Sequence, residues 1–180
     1  SYALLTARDE HSPIILPFEE RSRVVLNGES WSNLLRVKHD LGGQTHLGVI
    51  ATDRRYDGGG HGTLAGLDAH VRLNKTYSVE AQYLATFTEE PDDTLMTSDF
   101  NEERFDDGRR TAGFDGESFN GHALYAAFDR SGEHFDWSLS YYDRSPTFRA
   151  DNGYEVANDR RSANADASYL FRFDDSEHLE

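Results

Sequence analysis

The sequence contains no cysteine, and no apolar run in it approaches the roughly 20 residues that a membrane helix requires. The absence of cysteine excludes a disulfide framework and any thiolate metal site. Basic residues are also scarce, since 18 Lys and Arg oppose 33 Asp and Glu and give a formal net charge of −15. That charge disfavours nucleic acids and anionic membrane surfaces as partners, because both carry the same sign.

The length and composition predict a single folded domain. The 180 residues are too few for two comfortable domains, and 37% of them are hydrophobic, which is low, whereas 12% are aromatic. The sequence begins at Ser1 without Met and ends in Leu179 and Glu180. We therefore expect an excised or processed piece, with a single domain over 1–178 and a cloning scar at 179–180.

Several segments alternate strictly between apolar and polar residues, as half-buried strands do. In 64–74, for example, Leu67, Ala69 and Val71 lie on one side, while Asp68 and His70 lie on the other. The same pattern occurs at 77–87, 135–141 and 163–173. No long stretch keeps the 3.6-residue period of an amphipathic helix.

Three further segments, 33–41, 44–55 and 119–130, alternate less cleanly. In them we expect Ile50 and Leu124 on the polar side, and His39 and Asp129 on the apolar side. Residues 1–7 add the end of one more strand. The sequence thus predicts an all-β protein with about eight strands of roughly 9–12 residues.

Tight turns alternate with long polar connections along the chain. The tight turns are at 42–43, 74–76 and 131–133, and the long connections are at 8–32, 56–63, 89–118 and 145–160. In an up-and-down sheet every second connection lies at the same end, so all the tight turns share one end. Short turns at one end and long loops at the other are typical of an outer-membrane-type β-barrel, or of a part of one.

Periodicity does not decide which side of the sheet is the core. The apolar side faces lipid in a membrane barrel with a polar lumen, but it faces inward in a soluble barrel or sandwich. Long strands, an apolar side rich in Tyr, Phe and Trp, and charges of both signs on the other side favour lipid. The directions of Tyr83, Trp137 and Phe171 discriminate between the two arrangements.

No catalytic motif or metal site is evident in the sequence. The glycine-rich segment 57–62 lacks the Lys-Ser/Thr of a phosphate-binding loop. It is also flanked by predicted strands, so no helix N-terminus is present to bind an anion, and we expect a flexible hairpin loop. The acidic segment 99–108 fails the EF-hand spacing because Arg104 stands where glycine is needed. The eight histidines form no close ligand pair. We therefore expect neither an enzyme nor a cofactor.

The last long loop offers the only candidate ligand residues. Arg144, Arg149 and Asp151 lie in it, and its turns are marked by Pro146 and by Gly153 after Asn152. We expect these charged side chains to pair within the loop and fix its shape. Binding of a ligand by the same three residues is the alternative.

The same loop carries a family resemblance. The blocks are SPTFRADNGY at 145–154, FDWSLSY at 135–141, LLTARDE at 4–10, PFEERS at 17–22, RVK at 36–38 and TDRRY at 52–56. Together they resemble a bacterial surface-protein family that joins a family-9-like carbohydrate-binding module to a large C-terminal domain resembling an outer-membrane β-barrel. The resemblance covers nearly the whole chain but only a middle slice of that domain, without the module.

The resemblance implies a non-catalytic segment of an outer-membrane β-barrel at the bacterial cell surface, in a protein that binds or takes up glycans. Its partners would be carbohydrate, through the parent protein, and outer-membrane lipid. The unpaired edges of a slice would also permit oligomers. The alternatives are a soluble β-barrel or sandwich binding module, or an accessory part of a carbohydrate-acting hydrolase.

Overall fold

The computed structural model describes residues 1–153 and 157–172 and is built almost entirely of β-strands. Its main sheet has eight antiparallel strands: β1 (Tyr2–Asp9), β4 (Ser30–Gly42), β5 (Thr45–Tyr56), β6 (His61–Arg72), β7 (Tyr77–Glu89), β10 (Ser118–Arg130), β11 (Phe135–Arg144) and β12 (Arg160–Tyr169). Two small hairpins accompany it: β2 (Pro13–Pro17) with β3 (Ser22–Leu26), and β8 (Arg104–Phe105) with β9 (Arg110–Thr111). One 3₁₀ turn, Thr94–Thr97, precedes β8.

The large strands follow one another across the sheet in chain order, so the up-and-down prediction is confirmed. Within the described residues β1 and β12 remain unpaired at their outer edges, and the sheet does not close into a barrel. The strands begin earlier or end later than the sequence pattern indicated, as in the 13-residue β4. The strand predicted over 163–173 corresponds to β12, which begins at Arg160 and ends at Tyr169. Phe173 and residues 179–180 lie outside the described residues.

The alternation of connections is also confirmed. Tight turns join β4 to β5, β6 to β7 and β10 to β11, all at the end that we call the tight-turn end. In the first of these turns Gly42 and Gly43 adopt positive φ, which glycine allows at little cost. Both small hairpins lie in the connections at the opposite end, which we call the long-connection end.

The two sides of the sheet differ in chemistry. The apolar face carries Val49, Leu67, Tyr83 and Leu139, and these side chains are exposed, with exposed fractions of 62% for Leu67 and 49% for Tyr83. Phe171 is exposed as well, whereas Trp137 lies half-buried against Phe128 and Tyr77. The side chains that were expected to discriminate between lipid and core therefore do not enter a core.

The opposite, polar face carries the protein's packing. Both hydrophobic clusters of the described residues lie on this face, one around Tyr56 and Phe114 and the other around Leu64 and Phe148. Ile50 falls on the polar face as predicted and packs against the second cluster. The apolar alternation of the sequence thus marks the uncovered side of the sheet.

The predicted facing of the strand at 119–130 is wrong. Leu124 pairs with Tyr83 on the apolar face, and Asp129 pairs with Ser78 on the polar face. The sequence misled because Phe119 and Ala123 are buried beneath loops on the polar face. Their apolar character reflects contact with those loops, which a period-two pattern does not distinguish from the outer face.

Candidate functional site

Loops cover the polar face at the long-connection end of the sheet, and we call this region the covered end. It consists of the β2–β3 hairpin and the segments 90–117, 145–153 and 157–159, which pack over β5, β6, β7 and β10. Ile14 and Leu16 from the hairpin meet Tyr56 of the sheet, and Phe148 meets Leu64 and Ala123. The covered end is where described residues from distant parts of the chain converge.

Two strand glycines allow the last loop to touch the sheet directly. A Cβ added at Gly121 would lie 2.5 Å from the backbone nitrogen of Phe148, and one at Gly62 would lie 2.6 Å from Cγ of Asp151. Real Cβ atoms do not approach other atoms so closely, so the loop depends on glycine at both positions. Gly62 was assigned to the flexible loop at 57–62 from the sequence, but it belongs to β6 and has this packing role.

Arg149 is the central charge of the covered end. Its side chain is only 4% exposed, and its Nη1 donates to Oε1 of Glu90 at 2.8 Å while its Nε donates to Oδ1 of Asp151 at 3.1 Å. Its backbone N–H also donates to Oγ1 of Thr86, in the sheet, at 3.4 Å. The guanidinium therefore ties the loop to β7 and to the segment that follows β7.

Glu90 is buried with the guanidinium, and burial raises its pKa to about 7. Desolvation disfavours the charged carboxylate, and the nearby Arg149 opposes this effect only in part. The second carboxylate oxygen, Oε2, has no hydrogen-bond partner among the residues that the structure describes. A carboxyl in this state exchanges its proton near neutral pH.

A second guanidinium, that of Arg54, connects the edge of the sheet to the same loop. Its Nη2 donates to Oδ2 of Asp9 at 2.9 Å, its Nη1 to the backbone oxygen of Asp151 at 2.8 Å, and its Nε to Oγ of Ser30 at 3.0 Å. The neighbouring Tyr56 is buried, and burial together with the Asp151 charge raises the pKa of its hydroxyl. The covered end is therefore a polar network held within apolar packing.

The structure brings together two of the three residues that the sequence singled out. Arg149 and Asp151 form the predicted pair within the loop. Arg144 lies apart, donates to the backbone oxygen of Ala157 at 2.8 Å and places its guanidinium over the rings of Tyr142 and Phe148. The near-complete burial of Arg149 and Asp151 makes them organisers of the loop.

Sequence reasoning missed Glu90, Arg54 and Asn158, which complete the network. Asn158 donates from Nδ2 to the backbone oxygens of Pro146 and Phe148 and closes the loop. The one available signal was the placement of Arg54 between Thr52 and Tyr56 on the polar side of a strand. Glu90 and Asn158 lie in irregular segments, where no periodicity assigns a side chain to the interior.

The acidic loop segment is neutralised by arginines from its surroundings. Glu103 accepts from Arg21 and Arg23, and Asp106 lies against Arg109 and Arg110. No group of three or more His, Asp or Glu among the described residues is arranged to hold a metal ion. Glu103 is thus paired with arginines from a distant part of the sequence, whereas Asp106 is paired within its own hairpin.

Two further contacts were not foreseen. His46 and His70 stack as cross-strand neighbours on the polar face, with ring centroids 5.6 Å apart. On the apolar face, near the long-connection end, Asp143 accepts from Nε of Arg161 at 2.8 Å and pairs with Nε2 of His122 at 3.0 Å.

Comparisons with models of protein families, with curated proteins and with solved structures gave no match. The resemblance stated above therefore stays a prediction. In residues 1–153 and 157–172 no helix is long and apolar enough to cross a membrane.

The contact of Gly121 with the loop predicts a specific sensitivity. We expect Gly121→Ala to lower the free energy of unfolding by about 1–3 kcal/mol, because the new methyl group overpacks against the backbone of Phe148. Limited trypsin digestion should then cut faster after Arg149. Gly28→Ala is the matched control, since nothing lies within 4 Å of its added Cβ. Equal digestion rates for the two variants would contradict the proposed contact.

The burial of Glu90 predicts a pH dependence of stability. The folded protein holds this proton up to pH 7, whereas an exposed Glu releases it near 4.5, so the free energy of unfolding should fall as the pH rises between these values. The fall is at most about 3 kcal/mol. Chemical denaturation of the wild type and Glu90→Gln at both ends of the window measures it.

In this experiment Glu90→Gln should lose that part of the slope, because an amide does not titrate there. Glu133→Gln, an exposed change in the tight turn between β10 and β11, should keep it. A Glu90→Gln variant with the full wild-type slope would rule out Glu90 as its source.

Proposed function

We propose that this chain forms part of the wall of a bacterial outer-membrane β-barrel, in a protein that binds or takes up glycans. The apolar face lies against lipid, and the polar face lines the interior. The observation that carries the proposal is the reversed polarity of the sheet, in which large apolar side chains are exposed while the polar face carries the packing. The chain has no catalytic role in this proposal.

The height of the apolar band fits a membrane. Along β7 the outward side chains run from Tyr77 to Phe87 with only Val, Ala and Tyr between them. Ten residue steps span about 34 Å along a strand, which is about 24 Å along the membrane normal for a strand tilted by about 45°. Transmembrane barrels carry an outer apolar band about 25 Å tall.

Both borders of the band carry the residue types found at membrane–water interfaces. At the tight-turn end Tyr77, Phe128 and Trp137 form an aromatic cluster, with ring centroids 5.0–6.2 Å apart. At the long-connection end the apolar face changes to ionic groups, namely Asp53 with Arg55 and His61 with Glu89. Such pairs suit the headgroup region and water, and disfavour the hydrocarbon.

The polar face has the charge pattern of a hydrated interior. Arg36 on β4 reaches across β5 to Asp68 on β6, with 2.8 Å between Nη2 and Oδ2, and the bridge passes over Gly48, where a side chain would collide with it. Charges of opposite sign thus pair across strands instead of pointing outward.

The two open edges of the sheet require further hydrogen-bonding partners in a barrel wall. The outer edges of β1 and β12 offer unpaired backbone groups, which lipid does not satisfy. In the proposed barrel further strands, or a second copy of the chain, pair with these edges.

The glycan is the part of the proposal that rests on the family resemblance alone. Its test is calorimetric titration of the full-length protein, with and without this segment, against a panel of oligosaccharides. Weaker binding on removal of the segment from an otherwise folded protein supports a direct role. Unchanged affinity would assign glycan binding elsewhere in the protein.

The membrane orientation predicts that an arginine is tolerated on the polar face of the sheet but not on the apolar face. We expect Leu67→Arg to destabilise the folded protein in detergent or lipid by about 2–4 kcal/mol, because it places a charge against hydrocarbon. Gln82→Arg is the matched control. Gln82 pairs with Asp68, next to Leu67, but points to the polar face, where the charge is hydrated.

Folding titrations in lipid vesicles measure both variants. The intact protein should also require detergent and migrate differently on gels with and without heating. A monodisperse intact protein without detergent, or equal tolerance of the two arginines, would overturn the proposed orientation.

A further inference from the structure

A groove of about 570 Å³ opens at the covered end, between the β2–β3 turn, the β8–β9 hairpin and the residues Pro146, Asn158 and Asp159. Its charged lining is mostly acidic, with six carboxylates and two guanidiniums: Glu19, Glu20, Glu103, Asp106, Asp107 and Asp159 against Arg21 and Arg104. Arginines already pair with Glu103, Asp106 and Asp107. No ion-pair partner for Glu19, Glu20 or Asp159 lies within the described ranges.

Behind this groove lies a second, much smaller cavity of about 20 Å³. Phe18, Phe105, Pro146 and Asn158 line both spaces, so the cavity continues the groove into the interior. A cavity of this size holds one group as large as a water molecule. The groove therefore narrows to a space for a single small group.

Two of the residues that line the small cavity, Asn158 and Glu90, each have a buried oxygen that lacks a donor. Oδ1 of Asn158, a residue that is 1% exposed, has no partner in the described part of the chain, because its Nδ2 is the atom that bonds the loop carbonyls. Oε2 of Glu90 is equally without a described partner, since Arg149 bonds the other oxygen. Buried polar atoms are normally paired, so both point to a missing donor.

The charge and the walls of the cavity indicate which donor fits. Glu90 and Asp151 share the single cation of Arg149, while Arg54 is balanced by Asp9, so an ionised Glu90 leaves one negative charge uncompensated. Three aromatic rings line the small cavity and contact one another edge to face. The ring centroids are 5.8 Å apart for Phe18 and Phe105 and 5.9 Å apart for Phe105 and Phe119. Aromatic rings and a carboxylate together favour a cation.

We propose that this site binds the primary ammonium group of an organic amine. The head enters the small cavity and donates to Glu90 and Asn158, and the stem lies in the acidic groove. A primary ammonium supplies the positive charge and three donors in a group about as large as water. A quaternary ammonium supplies the charge but is too large for the cavity and has no donor. The site is distinct from the membrane-facing surface and does not depend on it.

The test titrates the folded full-length chain with n-pentylamine, N,N,N-trimethylpentylammonium and 1-pentanol, which share one stem. We expect saturable binding of the primary amine, with NMR shifts at Asn158, and at least about tenfold weaker binding of the other two, because each loses the ion pair or the fit. Equal binding of the quaternary ion or the alcohol, or a trapped water that the amine does not displace, would overturn the proposal.

Variants locate the site on the protein. Glu90→Gln should weaken amine binding at least about tenfold, since it removes the charge at the head. Glu20→Gln and Asp159→Asn, both at the rim of the groove, should each weaken it about two- to threefold through lost surface attraction. Glu133→Gln, at the tight-turn end, is the charge-matched control and should leave binding unchanged. The rim variants and the three ligands decide the matter even if Glu90→Gln does not fold.

Discussion

The buried guanidinium of Arg149 is the constraint on which the covered end depends. A charged group removed from water must keep its partners, so the loop around Arg149 has to deliver it between Glu90 and Asp151. Replacing such a cluster by apolar residues is often neutral for stability, because desolvation offsets the attraction between the charges. We infer that the ion pairs mainly fix where the loop lies. The pKa of Glu90 is raised because burial disfavours its charged form.

The loop reaches Glu90 only because glycines leave selected positions of the underlying sheet without side chains. Gly121 and Gly62 remove the side chains that would hold the loop backbone and the Asp151 carboxylate away from the strands. Gly48 does the same for the bridge from Arg36 to Asp68 at a lower level of the same face. Charge pairing and glycine placement are therefore linked, because the bridge from Arg36 to Asp68 and the carboxylate of Asp151 each occupy space that a glycine leaves open.

The sequence predicted those parts of the fold that follow from strict periodicity. The strands around Leu67 and Leu139 alternate cleanly, and tight turns separate them from their neighbours, so the order of the sheet could be read directly. The strand containing Leu124 was assigned to the wrong face, because its polar side is buried by a loop and therefore carries Phe119 and Ala123. A period-two pattern reports burial, but it does not say what covers the strand.

The candidate site was predictable only in part, for a related reason. Arg149 and Asp151 lie two residues apart, so their pairing is a local property that a turn-rich loop suggests. Glu90 meets Arg149 across 59 residues of sequence, and Arg54 meets Asp151 across 97. Such contacts depend on how irregular segments fold back over the sheet, which neither propensity nor periodicity determines.

The reversed polarity of the sheet relates the exposure of its apolar face to the position of the covered end on its polar face. Each large apolar side chain left in water forgoes about 1.5–3 kcal/mol of burial, and the apolar face presents a row of them over most of the sheet. Lipid supplies the missing apolar contact in the proposed orientation, and the network around Arg149 then lies near the level of the ionic pair of His61 and Glu89. In that proposed orientation the covered end would lie at the headgroup region, where water screens its exposed charges. The acidic groove consequently opens toward the aqueous phase, and a soluble amine would reach the acceptors of Glu90 and Asn158 without crossing the hydrocarbon.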